Sequence, residues 1–92
     1  MIVVERISED QVRMLSGTQS RHSASIEELR WIIPAMVEFR KVFGTRLKDA
    51  ASVMGLPSGT VTRWMMGTGY PGKTNVRRFR AACASIGIEV EE

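Results

Sequence analysis

Residues 47–66 read LKDAASVMGLPSGTVTRWMM, and the rest of the chain is organised around them. Ala50, Ala51 and Met54 share one face of a first short helix. Gly55 follows at once, where a helix reverses through a left-handed residue. Leu56 plugs the turn. Val61 and Trp64, three apart, form the inner face of a second helix. Ala51 is small where the second helix crosses close to it. Two helices joined by a tight, glycine-bearing turn make a helix-turn-helix.

Working outward, Ser25-Ile26-Glu27-Glu28 has the spacing of a capping box. Leu29, Ile32, Met36, Phe39 and Phe43 then recur at three- and four-residue steps, which predicts a long amphipathic helix. Pro34 is expected to kink or split it near Ile33. Ile26, Ile33 and Val37 form a second apolar stripe, suited to the N-terminal segment or to another subunit. Trp31 reads as packing. Gly44 ends the helix, and the two motif helices are expected over 46–54 and 58–66. Past the turn-rich stretch Gly67–Lys73, a last helix is expected over 74–86. Its face is Val76, Phe79, Cys83 and Ile86, with Gly87 as its cap.

The ends are strand-like. Ile2, Val3 and Val4 are strand formers, and Ile88-Glu89-Val90-Glu91 alternates apolar and acidic residues. The strands pair within or between subunits; the pattern does not choose. Ser8-Glu9-Asp10-Gln11 is another capping box, opening a helix over 9–16 that buries Val12 and Leu15 and ends at Gly17. Residues 18–24 read as a polar loop, with His22 an exposed bystander. The division is an N-terminal extension, 1–24, and a helix-turn-helix domain, 25–92. The fold class is mostly α: a compact bundle of four to five helices with short terminal strands.

Ninety-two residues allow one small core. The single Cys83 excludes an internal disulfide and fits a reducing cytoplasm. One histidine and one cysteine do not make an ordinary structural zinc site. No apolar run approaches a membrane span and no secretory pattern opens the chain, so no membrane partner is expected. The net charge is +3, unevenly spread. Residues 40–80 hold nine basic side chains against Asp49 alone, a net +8, leaving −5 for the rest.

The motif resembles the Cro and phage-repressor, or xenobiotic-response-element-like, helix-turn-helix family. The matching residues are Ala51, Gly55, Leu56, Val61, Arg63, Trp64 and Gly67, in register without a gap, with a looser likeness over 36–88. Two positions depart from the family. Leu47 stands where a glutamine is frequent, which removes a polar contact at the start of the first helix. Pro57 stands where Ser or Thr usually caps, so either Pro57 is the first helical residue or Ser58 caps one residue later. The resemblance implies a lambda-repressor-like bundle whose second motif helix lies in a DNA major groove. It also implies a prokaryotic, phage or plasmid transcriptional repressor, homodimeric on a near-palindromic operator. Such a protein is cytoplasmic, and on the nucleoid when DNA-bound.

Base readout is then expected from Ser58, Gly59, Thr62 and Arg63. Arg63 leads, because a guanidinium can bond guanine O6 and N7 together; otherwise it is a phosphate contact or a surface charge. Thr60 faces the backbone or the first motif helix. Arg46, Lys48, Thr68, Tyr70, Lys73, Thr74 and Asn75 are expected to hold phosphates and set register. The rival is an antitoxin, binding a toxin protein through the N-terminal 24 residues and the second stripe, and autoregulating through DNA.

Gly67–Thr74, GTGYPGKT, literally matches the nucleotide-binding pattern G-x-x-x-x-G-K-[ST]. That pattern needs a strand before the loop, and here a helix is expected. An anion-holding loop is the reading retained, with the phosphate belonging to DNA. No catalytic constellation is present, so no enzyme and no cofactor are expected.

Overall fold

The computed structural model describes residues 1–16 and 24–91. The expectations for Gly17, His22 and the loop before Ala24 lie outside those residues.

The described residues form five helices and two short strands, in the order β1 (Ile2–Val4), α1 (Glu9–Ser16), α2 (Ile26–Phe43), α3 (Leu47–Met54), α4 (Ser58–Met65), α5 (Val76–Ser85) and β2 (Ile88–Val90). The fold is mostly helical, a compact bundle carrying a helix-turn-helix. Local chemistry starts the first two helices. The Ser8 hydroxyl accepts from the Gln11 N–H at 3.1 Å, and the Gln11 side chain accepts from the Ser8 N–H at 3.0 Å. Ser25 accepts from the Glu28 N–H at 3.1 Å. Each bond satisfies a donor that a helix start leaves orphaned.

The stripe Leu29, Ile32, Met36, Phe39 and Phe43 is buried along α2. Phe79 of α5 sits 5.8 Å from the Phe39 ring and stacks 5.9 Å from Trp31. Val61 of α4, Ala50 of α3, Val12 of α1 and Ile88 of β2 close the same core. Of the second stripe, Ile33 is buried, whereas Ile26 and Val37 remain exposed.

The terminal strands pair within the chain. β1 runs parallel to β2 in the register Ile2 to Ile88, Val3 to Glu89 and Val4 to Val90. Arg6 donates to the Glu91 carbonyl and fastens the end of the ribbon. Parallel pairing needs a long crossover, which here is the whole helical bundle.

Four sequence expectations are corrected. First, of the kink or split expected at Pro34, the split does not occur: α2 is one helix over Ile26–Phe43. The carbonyl that lacks a donor because of Pro34, that of Arg30, accepts from the Ile7 N–H at 2.9 Å. Second, Leu15 is 60% exposed. α1 is a two-turn helix that buries Val12 and leaves Met14 and Leu15 in solvent. Third, neither reading of the α4 start holds: Pro57 takes the N-cap position with extended backbone, and Ser58 is the first helical residue. No side chain caps α4, although the Pro57 carbonyl accepts from Thr60 and Val61. Fourth, α3 begins at Leu47, with Arg46 as its N-cap, and α5 is shorter than expected at both ends.

Candidate functional site

The α3–α4 pair is set by its turn. Gly55 adopts φ +67°, and its N–H donates to the Ala51 carbonyl at 2.9 Å. Any side chain there would be strained. Half-buried Leu56 packs against the core behind the turn. Ala51, Met54, Val61 and Trp64 are all buried between the helices and the bundle.

With that inner face fixed, the outer face of α4 is determined. Ser58, Gly59 and Arg63 are exposed, and Thr60 and Thr62 are half-buried. The four expected readout residues thus lie on a two-turn helix whose opposite side is core. The Arg63 guanidinium has no hydrogen-bond or ion-pair partner among the described residues. A Cβ added at Gly59 would meet nothing within 4 Å.

The expected phosphate set divides. Lys48, on α3, is exposed and without a partner among the described residues. Lys73 and Thr74 are exposed on the segment before α5. Arg46 is exposed and also makes local contacts. It donates to the Val42 carbonyl at 2.9 Å, lies 5.5 Å from the Phe43 ring centre and stands 3.9 Å from Asp49. It therefore caps the carbonyl end of α2, where a cation is favoured. The Thr68 hydroxyl donates to the Arg63 carbonyl at 2.9 Å, so it closes the end of α4. Tyr70 is half-buried against the core. Asn75 occupies the N-cap position of α5 without a side-chain cap bond. A helix, α4, precedes the Gly67–Thr74 segment, and α5 begins two residues after it.

Two further arginines bear on this surface, and the sequence reading missed them. Arg40 of α2 donates from Nε and Nη2 to the Trp64 carbonyl at 3.2 and 2.7 Å. Arg78 of α5 donates from Nη1 to the Gly55 carbonyl at 3.1 Å. A signal for Arg40 was present: it lies four residues after Met36 and three before Phe43, on the flank of the buried stripe.

Cys83 is buried on α5 beside β2, and burial pushes its thiol up to about 12. A neutral thiol is a poor nucleophile. Among the described residues, no group of acidic, histidine or cysteine side chains could hold a metal ion, and no helix is long and apolar enough to cross a membrane. No protein-family model, curated protein or solved structure matches the chain.

Proposed function

We propose that this chain is a sequence-specific, double-stranded DNA-binding protein that represses transcription as a homodimer. The observation that carries the reading is Gly59. It stands in the first turn of α4, is exposed, has no positive φ and has open space where a side chain would be. The fold itself supplies no reason for a glycine there, and glycine disfavours a helix by roughly 0.5–1 kcal/mol relative to alanine. An external surface lying close against the start of α4 does supply one. Arg63 one turn further on, and the excess of basic side chains over 40–80, give that surface a negative charge.

In this reading α4 enters the major groove. Arg63 bonds a base edge, Ser58 and Thr62 offer hydroxyls, and Lys48, Lys73 and Thr74 neutralise phosphates. A bound dimer covering a promoter excludes polymerase, which needs no further domain. The terminal strands pair within one chain, so in this reading the dimer seam falls to the second stripe of α2, where Ile26 and Val37 are exposed. Selection of bound sequences from random duplex DNA tests the proposal. The expected product is a near-palindromic consensus with half-sites about 34–36 Å apart. Recovery of no enriched sequence would overturn it.

An antitoxin is the second reading, and a specific observation favours it. Val3, Met14 and Leu15, all in the N-terminal elements, are 58, 81 and 60% exposed. Apolar side chains at such exposure suit a protein partner. A neighbouring gene for a small toxic protein, and a stoichiometric complex on co-expression, would select this reading.

A further inference from the structure

We infer that Arg40 and Arg78 are positioning residues that fasten α4 from two sides and fix the angle at which its outer face is presented. The inference rests on the DNA-binding reading for its functional consequence, but the fastening itself does not.

The carbonyls at the C-terminal end of a helix have no intrahelical donor and need other partners. In α4, those of Thr62, Arg63 and Trp64 are engaged. The Thr62 carbonyl accepts from the Met66 N–H at 2.8 Å, and that of Arg63 from the Thr68 N–H and hydroxyl, both at 2.9 Å. The Trp64 carbonyl takes the weak Gly67 N–H bond at 3.2 Å and also the two-pronged Arg40 fork. The first two carbonyls are satisfied by residues just beyond the helix, so they fix nothing outside it. Arg40 comes from α2, twenty-four residues away, and is a hydrogen-bonded link that ties the end of α4 to the long central helix. Its half-buried side chain runs past Gly67, where an added Cβ would lie 3.9 Å from Nη2.

The entry to α4 is held differently. The Gly55 carbonyl, three residues before Ser58, accepts from Arg78 of α5. An added Cβ at Gly55 would lie 3.5 Å from the same Arg78 nitrogen, so turn and arginine are in close contact. One guanidinium therefore holds each end of the segment 55–64, and the two come from different helices. A planar fork with several fixed donors suits this task better than an ammonium, which is a point charge on a flexible stem. Two basic residues that charge counting would assign to phosphates thereby also hold main-chain carbonyls, Arg40 half-buried and Arg78 exposed.

Arg40→Lys and Arg78→Lys test this with charge retained, and Arg40→Met and Arg78→Met with charge removed. Amide hydrogen exchange reads the fastening without DNA. In Arg40→Lys, the amides of Met66 and Thr68 should exchange at least about tenfold faster while those of α2 hold their rates. Binding to a selected site and to scrambled DNA reads the consequence. Arg40→Lys should lose about tenfold in discrimination, the scale of one misplaced base contact, with unchanged salt dependence on scrambled DNA. Equal loss on both DNAs in the Met variants, rescued by Lys, would make these residues phosphate contacts and overturn the inference. Unchanged exchange in all four variants would overturn it as well. If the intact protein discriminates no sequence, the DNA-binding reading fails, and exchange alone decides the fastening. Should the Met variants not fold, the Lys variants carry both readouts.

Discussion

The Ile7 N–H donates to the Arg30 carbonyl at 2.9 Å, and the Arg30 Nε returns a bond to the Ile7 carbonyl at 2.8 Å. The pair is a two-bond clasp between the N-terminal segment and the middle of α2. Its acceptor exists because Pro34, four residues on, has no N–H to offer. A proline in a helix interior ordinarily costs about 3 kcal/mol, in part through that orphaned carbonyl. Here the orphan is the docking point for Ile7.

Pro34→Ala should therefore stabilise the protein by much less than about 3 kcal/mol. The backbone N–H that the substitution introduces would share a carbonyl already in use. Urea denaturation measures the difference, and a gain near the full value would mean that the clasp contributes nothing.

Arg63 and Lys73 should behave differently when removed. Arg63→Ala should cost about 1–3 kcal/mol on a selected operator and little on scrambled DNA. Lys73→Ala should weaken both about equally and reduce the salt slope by about one counterion. Anisotropy titrations at several salt concentrations read both effects. Equal losses for Arg63→Ala on the two DNAs would reduce it to a phosphate contact.

What the sequence made legible was local. Ser8 with Gln11, Ser25 with Glu28, and Gly55 are decided within four residues, so α1, the start of α2 and the α3–α4 turn followed from spacing. The strands at both ends were legible as strands, but their pairing spans the whole chain and was open until Ile2 met Ile88. Long-range bonds were illegible for the same reason. Pro34 looked like a break because its relief comes from Ile7, which is distant in sequence. Basic residues looked alike because charge does not show what a guanidinium touches. Arg40, Arg46 and Arg78 hold main-chain carbonyls, whereas Arg63 points outward from α4.

Cys83 gives a pH dependence. Burial raises its folded-state value from 9.0 to about 12, so the folded protein keeps the thiol proton over a range in which the unfolded chain releases it. Between those values the unfolded state binds fewer protons, and stability falls as pH rises. Well below the unfolded value of 9.0 the thiol contributes no slope. Stability measured from about pH 8 to about pH 11 should fall more steeply in the wild type than in Cys83→Ala. A thiol reagent at mildly alkaline pH should label the chain only after unfolding. Parallel curves for the two proteins, with rapid native-state labelling, would show the thiol to be accessible.

Gly59→Ala should raise stability and lower DNA affinity together. The stabilising part follows from geometry: the residue is helical, its φ is not positive, and the added methyl meets nothing within 4 Å. Alanine then gains a few tenths to about 1 kcal/mol of helix propensity, a rise of roughly 2–6 °C in melting temperature for a domain of this size. The opposing part follows from the proposed complex. With α4 in the groove, a methyl at an exposed position of the first turn would hold the helix back from the groove floor, and the contacts of Arg63 one turn on would lengthen with it. Discrimination between operator and scrambled DNA should therefore fall, while purely electrostatic binding to scrambled DNA persists. A merely structural glycine would show the first effect without the second. A stabilised Gly59→Ala protein that binds its operator as tightly as the parent would remove the observation on which the DNA-binding reading rests.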